Sequence, residues 1–263
     1  MSSPNKVENF YGKEAHCLGK NPIFNPFLSV ENLPSRQRMF KEFPLSNYGM
    51  SYKVEDMTPE ERFSSQVRLL LNTVNYLGNV KNKHLLEVGS GTGSGAFIVD
   101  SVFKPASISG VDSSPYQTKL AKKLNKGNNR INLHNLNAKD IAGQFGSAQF
   151  DGIYSIETAQ YMDTATLRSF FKGAFTTLKP EGKLAFCSLF SQGRKHGMHN
   201  IEDTKSMLEK IGFQNIEIVS IGKYVFEQLA KWSAQVAPQQ TWPQKYLQDF
   251  PTLLDYYIVV GRK

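Results

Sequence analysis

Cysteine is nearly absent. The chain of 263 residues holds two, Cys17 and Cys187. Two such residues support neither a disulfide framework nor a zinc site, and a reduced, cytoplasmic setting is expected. No metal site is expected. No run of about 18 apolar residues occurs, so no membrane-spanning helix is expected. The first nine residues are polar and lack the apolar stretch of a secretory signal. Internal repeats and low-complexity tracts are also missing.

The chain has ample material for a core: 40% of residues are hydrophobic and 12% aromatic. Its net charge is +8, and the excess is uneven. Residues 104–195 hold 13 Lys/Arg against 6 Asp/Glu. Lys119, Lys122, Lys123 and Lys126 recur at helical spacing, which reads first as a solvated helix face. Attraction of an anionic partner is the competing reading.

Residues 1–57 are punctuated by Asn-Pro, Leu-Pro and Phe-Pro pairs yet rich in aromatics, so this segment is expected to lie on the main domain as a lid. From Thr58 a helix is signalled by Thr58-Pro59-Glu60-Glu61 followed by apolar residues from Phe63 to Leu77. Strands are expected at 84–89, 107–112, 131–136, 150–156 and 183–189. Helices are expected at 93–103, 115–125 and 163–178, the last closed by a turn at Lys179-Pro180-Glu181-Gly182. The tail reads as helix 200–211, strand 214–220, helix 223–235 and strand 255–261. Such alternation argues an α/β fold with helices on both faces of a mostly parallel sheet.

The first strand runs into Glu87-Val88-Gly89-Ser90-Gly91-Thr92-Gly93-Ser94-Gly95. Glycines allow the tight turn and let a ligand approach the main chain. Gly91-Thr92-Gly93-Ser94-Gly95-Ala96 satisfies a loose dinucleotide pattern, with Asp112 at a workable distance for a ribose diol. A pyrophosphate, however, gains nothing from the acid Glu87 beside that turn. An ammonium or sulfonium does.

In these residues the chain resembles class I S-adenosylmethionine-dependent methyltransferases, from about residue 47 to the C-terminus. More narrowly it resembles the small-molecule branch that includes phthiotriol dimycocerosate, tocopherol and sugar O-methyltransferase-like enzymes. The carrying segments are Asn47-Tyr48-Gly49-Met50, Ser155-Ile156-Glu157-Thr158-Ala159-Gln160-Tyr161-Met162, Leu178-Lys179-Pro180-Glu181-Gly182-Lys183-Leu184 and Phe226-Glu227-Gln228-Leu229-Ala230-Lys231-Trp232. The resemblance implies a three-layer Rossmann-like sandwich: a seven-stranded, mostly parallel sheet with an antiparallel last strand, and an N-terminal helical or irregular lid. Residues 1–57 would be the lid and 58–263 the methyltransferase domain. S-adenosyl-L-methionine would be held by Glu87, Gly89, Ser90, Gly91, Gly93, Asp112, Ser113, Gln117, Asn137, Ala138 and Ser155. Asp112 would hold the ribose hydroxyls and Asn137-Ala138 would meet adenine, although the family more often has Asp where this chain has Asn137.

The acceptor side departs from the family. Many relatives carry a His after the fourth strand paired with an Asp at the end of the fifth; here Gln160 and Ser188 stand there. Three explanations stay open. His196 or His199 serves as base; the acceptor is already nucleophilic, as an amine, thiolate or activated carbon is; or positioning suffices for an acidic phenol or enol. Glu157 faces either the methionine part of the cofactor or the acceptor. Gln160, His196, His199 and Glu157 are therefore the catalytic candidates, and Tyr48, Tyr161, Tyr224 and Trp232 the candidate lid over the acceptor. An aromatic lid implies a small acceptor with an apolar or aromatic part. O-methylation leads, with N- or C-methylation of a small metabolite as the alternative. An NAD(P)-dependent oxidoreductase and a non-catalytic cofactor-binding protein remain as other classes. A nucleic-acid acceptor is not expected, for the chain has neither an Asn/Asp-Pro-Pro-Tyr/Phe tetrapeptide nor an appended RNA-binding module.

Overall fold

The computed structural model describes residues 45, 47–51, 58–192 and 198–263. Seven strands form one sheet: β1 (His84–Val88), β2 (Ser107–Asp112), β3 (Ile131–Asn135), β4 (Phe150–Ile156), β5 (Leu178–Ser191), β6 (Gln214–Ser220) and β7 (Leu254–Arg262). Their order is β3-β2-β1-β4-β5-β7-β6. Pairings from β3 through β5 are parallel, and β7 runs antiparallel between β5 and β6. This is the expected mostly parallel sheet with an antiparallel last strand. Most of the expected lid lies outside the described residues.

The helices between strands are α1 (Pro59–Asn75), α2 (Ser94–Phe103), α3 (Pro115–Leu124), α4 (Ile141–Phe145), α5 (Thr164–Thr177), α6 (Ile201–Ile211), α7 (Gly222–Val236) and α8 (Trp242–Asp249). Their starts follow from local chemistry. The Thr58 hydroxyl accepts from the Glu61 amide while the Glu61 carboxylate accepts from the Thr58 amide, a reciprocal cap on α1. Ser114, Asp163 and Asn200 cap α3, α5 and α6 in the same one-sided way.

Two features differ from expectation. The segment Lys179-Pro180-Glu181-Gly182 is a bulge inside a long β5, not a turn before it. The register against β4 jumps from Phe150–Leu178 to Gly152–Lys183, and Glu181 takes φ 65°. Its amide donates to the Lys263 carbonyl, so the last residue closes the gap that the bulge opens. Helices α4 and α8 were not foreseen, being too short for a clear apolar period.

Alternation along β5 assigns the layers. Leu184, Phe186 and Phe190 pack with Phe170 and Phe171 of α5, in aromatic contacts of 5.2–6.3 Å. Each fully buried Phe contributes about 2–3 kcal/mol. Ala185, Cys187 and Leu189 face the other way, against α7 and Leu69 of α1. Both faces are thus covered, as a parallel sheet requires. No helix among the described residues is long and apolar enough to cross a membrane.

Candidate active site

Strand order reverses between β1 and β4, and a crevice opens there at the carboxyl ends of the strands. It has two lobes of about 420 and 260 Å³ that share Gly89, Asp112, Ser113, Thr158 and Tyr161. The glycine loop after β1 forms one wall. Gly89 shows why glycine is needed: its φ is 77°, and a Cβ there would fall 1.9 Å from Thr158 Oγ1. Beyond it, the amides of Gly89 and Ser90 both donate to the Val111 carbonyl.

Two carboxylates define the larger lobe. Asp112, at the end of β2, accepts from the Gly91 amide (2.9 Å) on one oxygen and the Ser114 amide (2.8 Å) on the other. Both carboxylate oxygens are thereby aimed, and each keeps a lone pair for a ligand. Glu87 is almost fully buried on the floor of the same lobe. Burial pushes its carboxyl up to about 8, against the Ala96 amide, which favours the charged form. The Tyr154 hydroxyl beside it also favours the charged form, and Glu87 Oε2 is itself buried. A cation brought to this buried carboxyl would favour its charged form and pair with it, a gain that a phosphate cannot make. The site therefore fits the ammonium of S-adenosylmethionine and argues against a dinucleotide.

The other expected cofactor residues divide. Ser90, Gly91, Ser113 and Gln117 line the larger lobe, while Asn137 and Ala138 line the smaller, where an adenine would go. Asn137 also caps the short 3-10 turn Ala138–Asp140, its side-chain oxygen accepting from the Lys139 amide (3.1 Å). Gly93, at φ 73°, makes the turn into α2 and lines neither lobe. Nor does Ser155, which is fully buried and donates its hydroxyl to the Val88 carbonyl (2.8 Å), tying β4 to β1.

A third carboxyl, Glu157, follows β4 at φ 52° and lines the larger lobe. Its Oε1 accepts from the Tyr48 amide (2.6 Å) and the Tyr256 hydroxyl (2.7 Å). Burial pushes this carboxyl up to about 7, opposed by those two donors and the nearby Arg62 guanidinium. Arg62 of α1 donates to the carbonyls of Tyr48 and Asn47 and to Gln228 Oε1, and the Gln228 amide donates back to the Tyr48 and Gly49 carbonyls. Residues 47–51 are thus a strap, clamped between α1 and α7 and resting on Glu157.

Gln160 and Ser188, which stand where a His–Asp pair was sought, do touch: Ser188 Oγ donates to Gln160 Oε1 (3.1 Å), as does the Leu189 amide (3.2 Å). His199 Nε2 lies 2.8 Å from the Met162 carbonyl, to which it donates; His199 lines neither lobe. His196 lies outside the described residues. Of the expected lid, Tyr161 is 78% exposed and lines both lobes. Tyr48 packs at 5.6 Å from Trp242 and 6.0 Å from Tyr256. Tyr224 is buried against the strap, its carbonyl accepting from the Ser51 amide, and Trp232 is half-buried away from both lobes. Sequence reading missed Arg62, Gln228, Trp242 and Tyr256. Only Trp242-Pro243 carries a local signal, a helix start with Pro in its first turn.

Residues 86–186 match the family model described as a methyltransferase domain. The chain is 29% identical over 163 residues to the O-methyltransferase rstn1 of Aspergillus nomiae, covering 55% of this chain and 70% of that protein. It is 36% identical over 111 residues to erythromycin 3''-O-methyltransferase of Saccharopolyspora erythraea, covering 41% of this chain and only 35% of that enzyme. Among solved structures, geranyl diphosphate C-methyltransferase from Streptomyces coelicolor A3(2), in complex with Mg2+, geranyl-S-thiolodiphosphate and S-adenosyl-L-homocysteine, superposes with a TM-score of 0.75. That superposition covers 99% of this chain and 98% of that one at 12% identity, a likeness of fold.

Proposed function

We propose that this chain, a class I S-adenosylmethionine-dependent methyltransferase, methylates an oxygen of a small molecule that carries an apolar or aromatic part. The observation that carries the reading is the pair of carboxyl groups on one cleft: Asp112 with both oxygens aimed by backbone amides, and Glu87 buried on the floor of the same lobe. Oxygen as the methylated atom is supported by the curated relatives named above, which are O-methyltransferases. A reduced, cytoplasmic setting belongs to the same reading and agrees with the buried free thiol of Cys187.

When bound, S-adenosylmethionine supplies an electrophilic methyl group on a sulfonium. In this reading Glu87 receives the ammonium, Asp112 accepts from the ribose hydroxyls, and Asn137 and Ala138 meet the adenine edge. Tyr161, exposed and shared by the two lobes, screens the reacting centre. Glu157, which lines the larger lobe, borders the acceptor, with Tyr48 resting on it. Holding two reactants in line is worth about 7–11 kcal/mol of barrier, so positioning is the main task of these residues.

Calorimetric titration with S-adenosylhomocysteine tests the reading. Saturable binding is expected, and Asp112→Ala is expected to weaken it by roughly tenfold or more, since two charge-assisted hydrogen bonds contribute about 1.5–3 kcal/mol each. No binding, or binding of NADH in its place, would remove the proposal.

A further inference from the structure

Resting on the methyltransferase reading, we infer that Glu157 is a base of the reaction: its Oε2 takes the proton of a neutral acceptor hydroxyl as the methyl group is transferred. Three carboxyls line the larger lobe, Glu87, Asp112 and Glu157. S-adenosylmethionine brings one ammonium and one ribose diol, which Glu87 and Asp112 serve, and its adenine amine belongs to the smaller lobe. Glu157 is left without a cofactor group to bind. A carboxylate set against the sulfonium would favour the reactant over the transition state, in which that charge is being lost. Glu157 nevertheless stands next to the cofactor. Its neighbours Ile156 and Thr158 line the same lobe, and Thr158 lies against Gly89 of the glycine bend. Of the four catalytic candidates, His196 lies outside the described residues, and among the other three only Glu157 lines either lobe.

Two anchors hold the residue. Its amide donates to the Cys187 carbonyl (2.9 Å), with the backbone at φ 52°, a left-handed conformation uncommon outside glycine. Its Oε1 accepts from the Tyr48 amide and the Tyr256 hydroxyl. Oε2 receives no hydrogen bond from a described residue, and it is the oxygen left for the lobe that the side chain lines. An anchor needs Oε1 alone; a proton acceptor needs an oxygen facing the reactants. The groups packed around the carboxyl suit that task. Arg62 of α1, lowered by burial to about 10, stays charged at neutral pH and favours the carboxylate. Burial and the Glu157 charge hold the Tyr48 phenol of the strap, the Cys187 thiol of β5 and the Tyr256 hydroxyl of β7 above their ordinary values, so all three stay neutral. Across the lobe, Asp112 is fixed by two backbone amides, and Glu87 is held charged by the ammonium. The step balances. The acceptor O–H bond breaks and its proton passes to Oε2, an oxygen lone pair forms the new oxygen–carbon bond, and the electron pair of the broken carbon–sulfur bond stays on sulfur. Glu157 then returns the proton to solvent.

The test compares two phenols of similar size in turnover by the full chain saturated with S-adenosylmethionine: p-cresol, un-ionised at mildly alkaline pH, and p-nitrophenol, largely ionised there. In Glu157→Gln the amide oxygen still accepts from the Tyr48 amide and the Tyr256 hydroxyl, so the anchor survives and the proton acceptor is lost. The kcat for p-cresol is expected to fall by roughly 100-fold or more with KM little changed. p-Nitrophenol arrives without its proton and should keep its rate, and S-adenosylhomocysteine affinity should be unchanged. In the parent chain kcat for p-cresol should rise with pH through about 7 and level off, a limb absent from Glu157→Gln. Equal loss with both phenols would make Glu157 an anchor only, and weakened S-adenosylhomocysteine binding would make it a cofactor ligand. Either overturns the inference. So does p-cresol left unmethylated by the parent chain, or methylated as fast by Glu157→Gln. Calorimetry on the parent chain reports S-adenosylhomocysteine binding separately, so failure here is distinct from failure of the methyltransferase reading.

Discussion

A methyl group added at Gly95 would sit 2.1 Å from Glu87 Oε1, whereas one added at Gly143 would meet nothing within 4 Å. Gly95→Ala must therefore displace the buried carboxylate or the first turn of α2. Affinity for S-adenosylhomocysteine is expected to fall by about tenfold or more, while Gly143→Ala leaves it unchanged; calorimetry on the two variants checks this. Glu87 makes a second prediction. With its carboxyl pushed up to about 8, it carries a proton at neutral pH when the cleft holds no cation. An incoming ammonium favours the charged form, so binding should release that proton. Titrations near pH 7 in buffers of different ionisation heat should register proton release in the parent chain and none in Glu87→Gln. Proton uptake in the parent chain would contradict the ammonium assignment.

Arg62 links helix α1 to the strap and, through Gln228, to helix α7. Its guanidinium serves two strap carbonyls and the Gln228 side chain, and burial lowers its pKa to about 10 despite Glu157. Arg62→Met would leave those carbonyls short of donors and Glu157 without its counter-charge. A loss on the order of 2 kcal/mol in chemical denaturation is expected, since hydrogen bonds to charged groups contribute about 1.5–3 kcal/mol. By contrast, the pair of Arg262 with the exposed Glu181 stands in solvent, and removing it should change stability by well under about 1 kcal/mol. A larger effect at Arg262 than at Arg62 would show that the strap is not clamped as described.

At the scale of the whole molecule, carboxyls shifted in opposite directions occur among the described residues. Burial raises Glu87 to about 8 and Glu157 to about 7 from an ordinary 4.5. For such groups the native state holds its protons more tightly than the unfolded chain. Their stabilising effect is full below the ordinary value and fades as pH climbs through the raised ones. Asp100 and Asp151 behave oppositely. Arg130 lowers Asp100, and the His84 amide together with Lys179 lowers Asp151, so their contribution is present at neutral pH and is lost in acid. The ligand-free protein should therefore lose stability between about pH 5 and pH 8, with a second loss in strong acid. Melting temperatures across this range should show the upper decline flattened in Glu87→Gln. They should also show it shallower with S-adenosylhomocysteine bound, because the ligand prefers charged Glu87.

The sequence by itself determined the local geometry and the order of elements. Caps such as Thr58 with Glu61 act over three residues, and the apolar periods of α1 and α5 act over one or two turns. The glycine bend with its acid, and Asp112 one strand over, are legible because parallel neighbours bring successive strand ends together. Tertiary structure alone decided the acceptor side. Tyr48 reaches Glu157 across 109 positions and Tyr256 reaches it across 99. Those meetings depend on the placement of β7 beside β5 and on a strap laid over α1 and α7, and no local pattern encodes them. The same cause turned Ser155 toward the Val88 carbonyl and fixed the Gln160 oxygen on the Leu189 amide. Residue type shows which hydrogen bonds a side chain can make, and only the packed neighbours select which of them it does make.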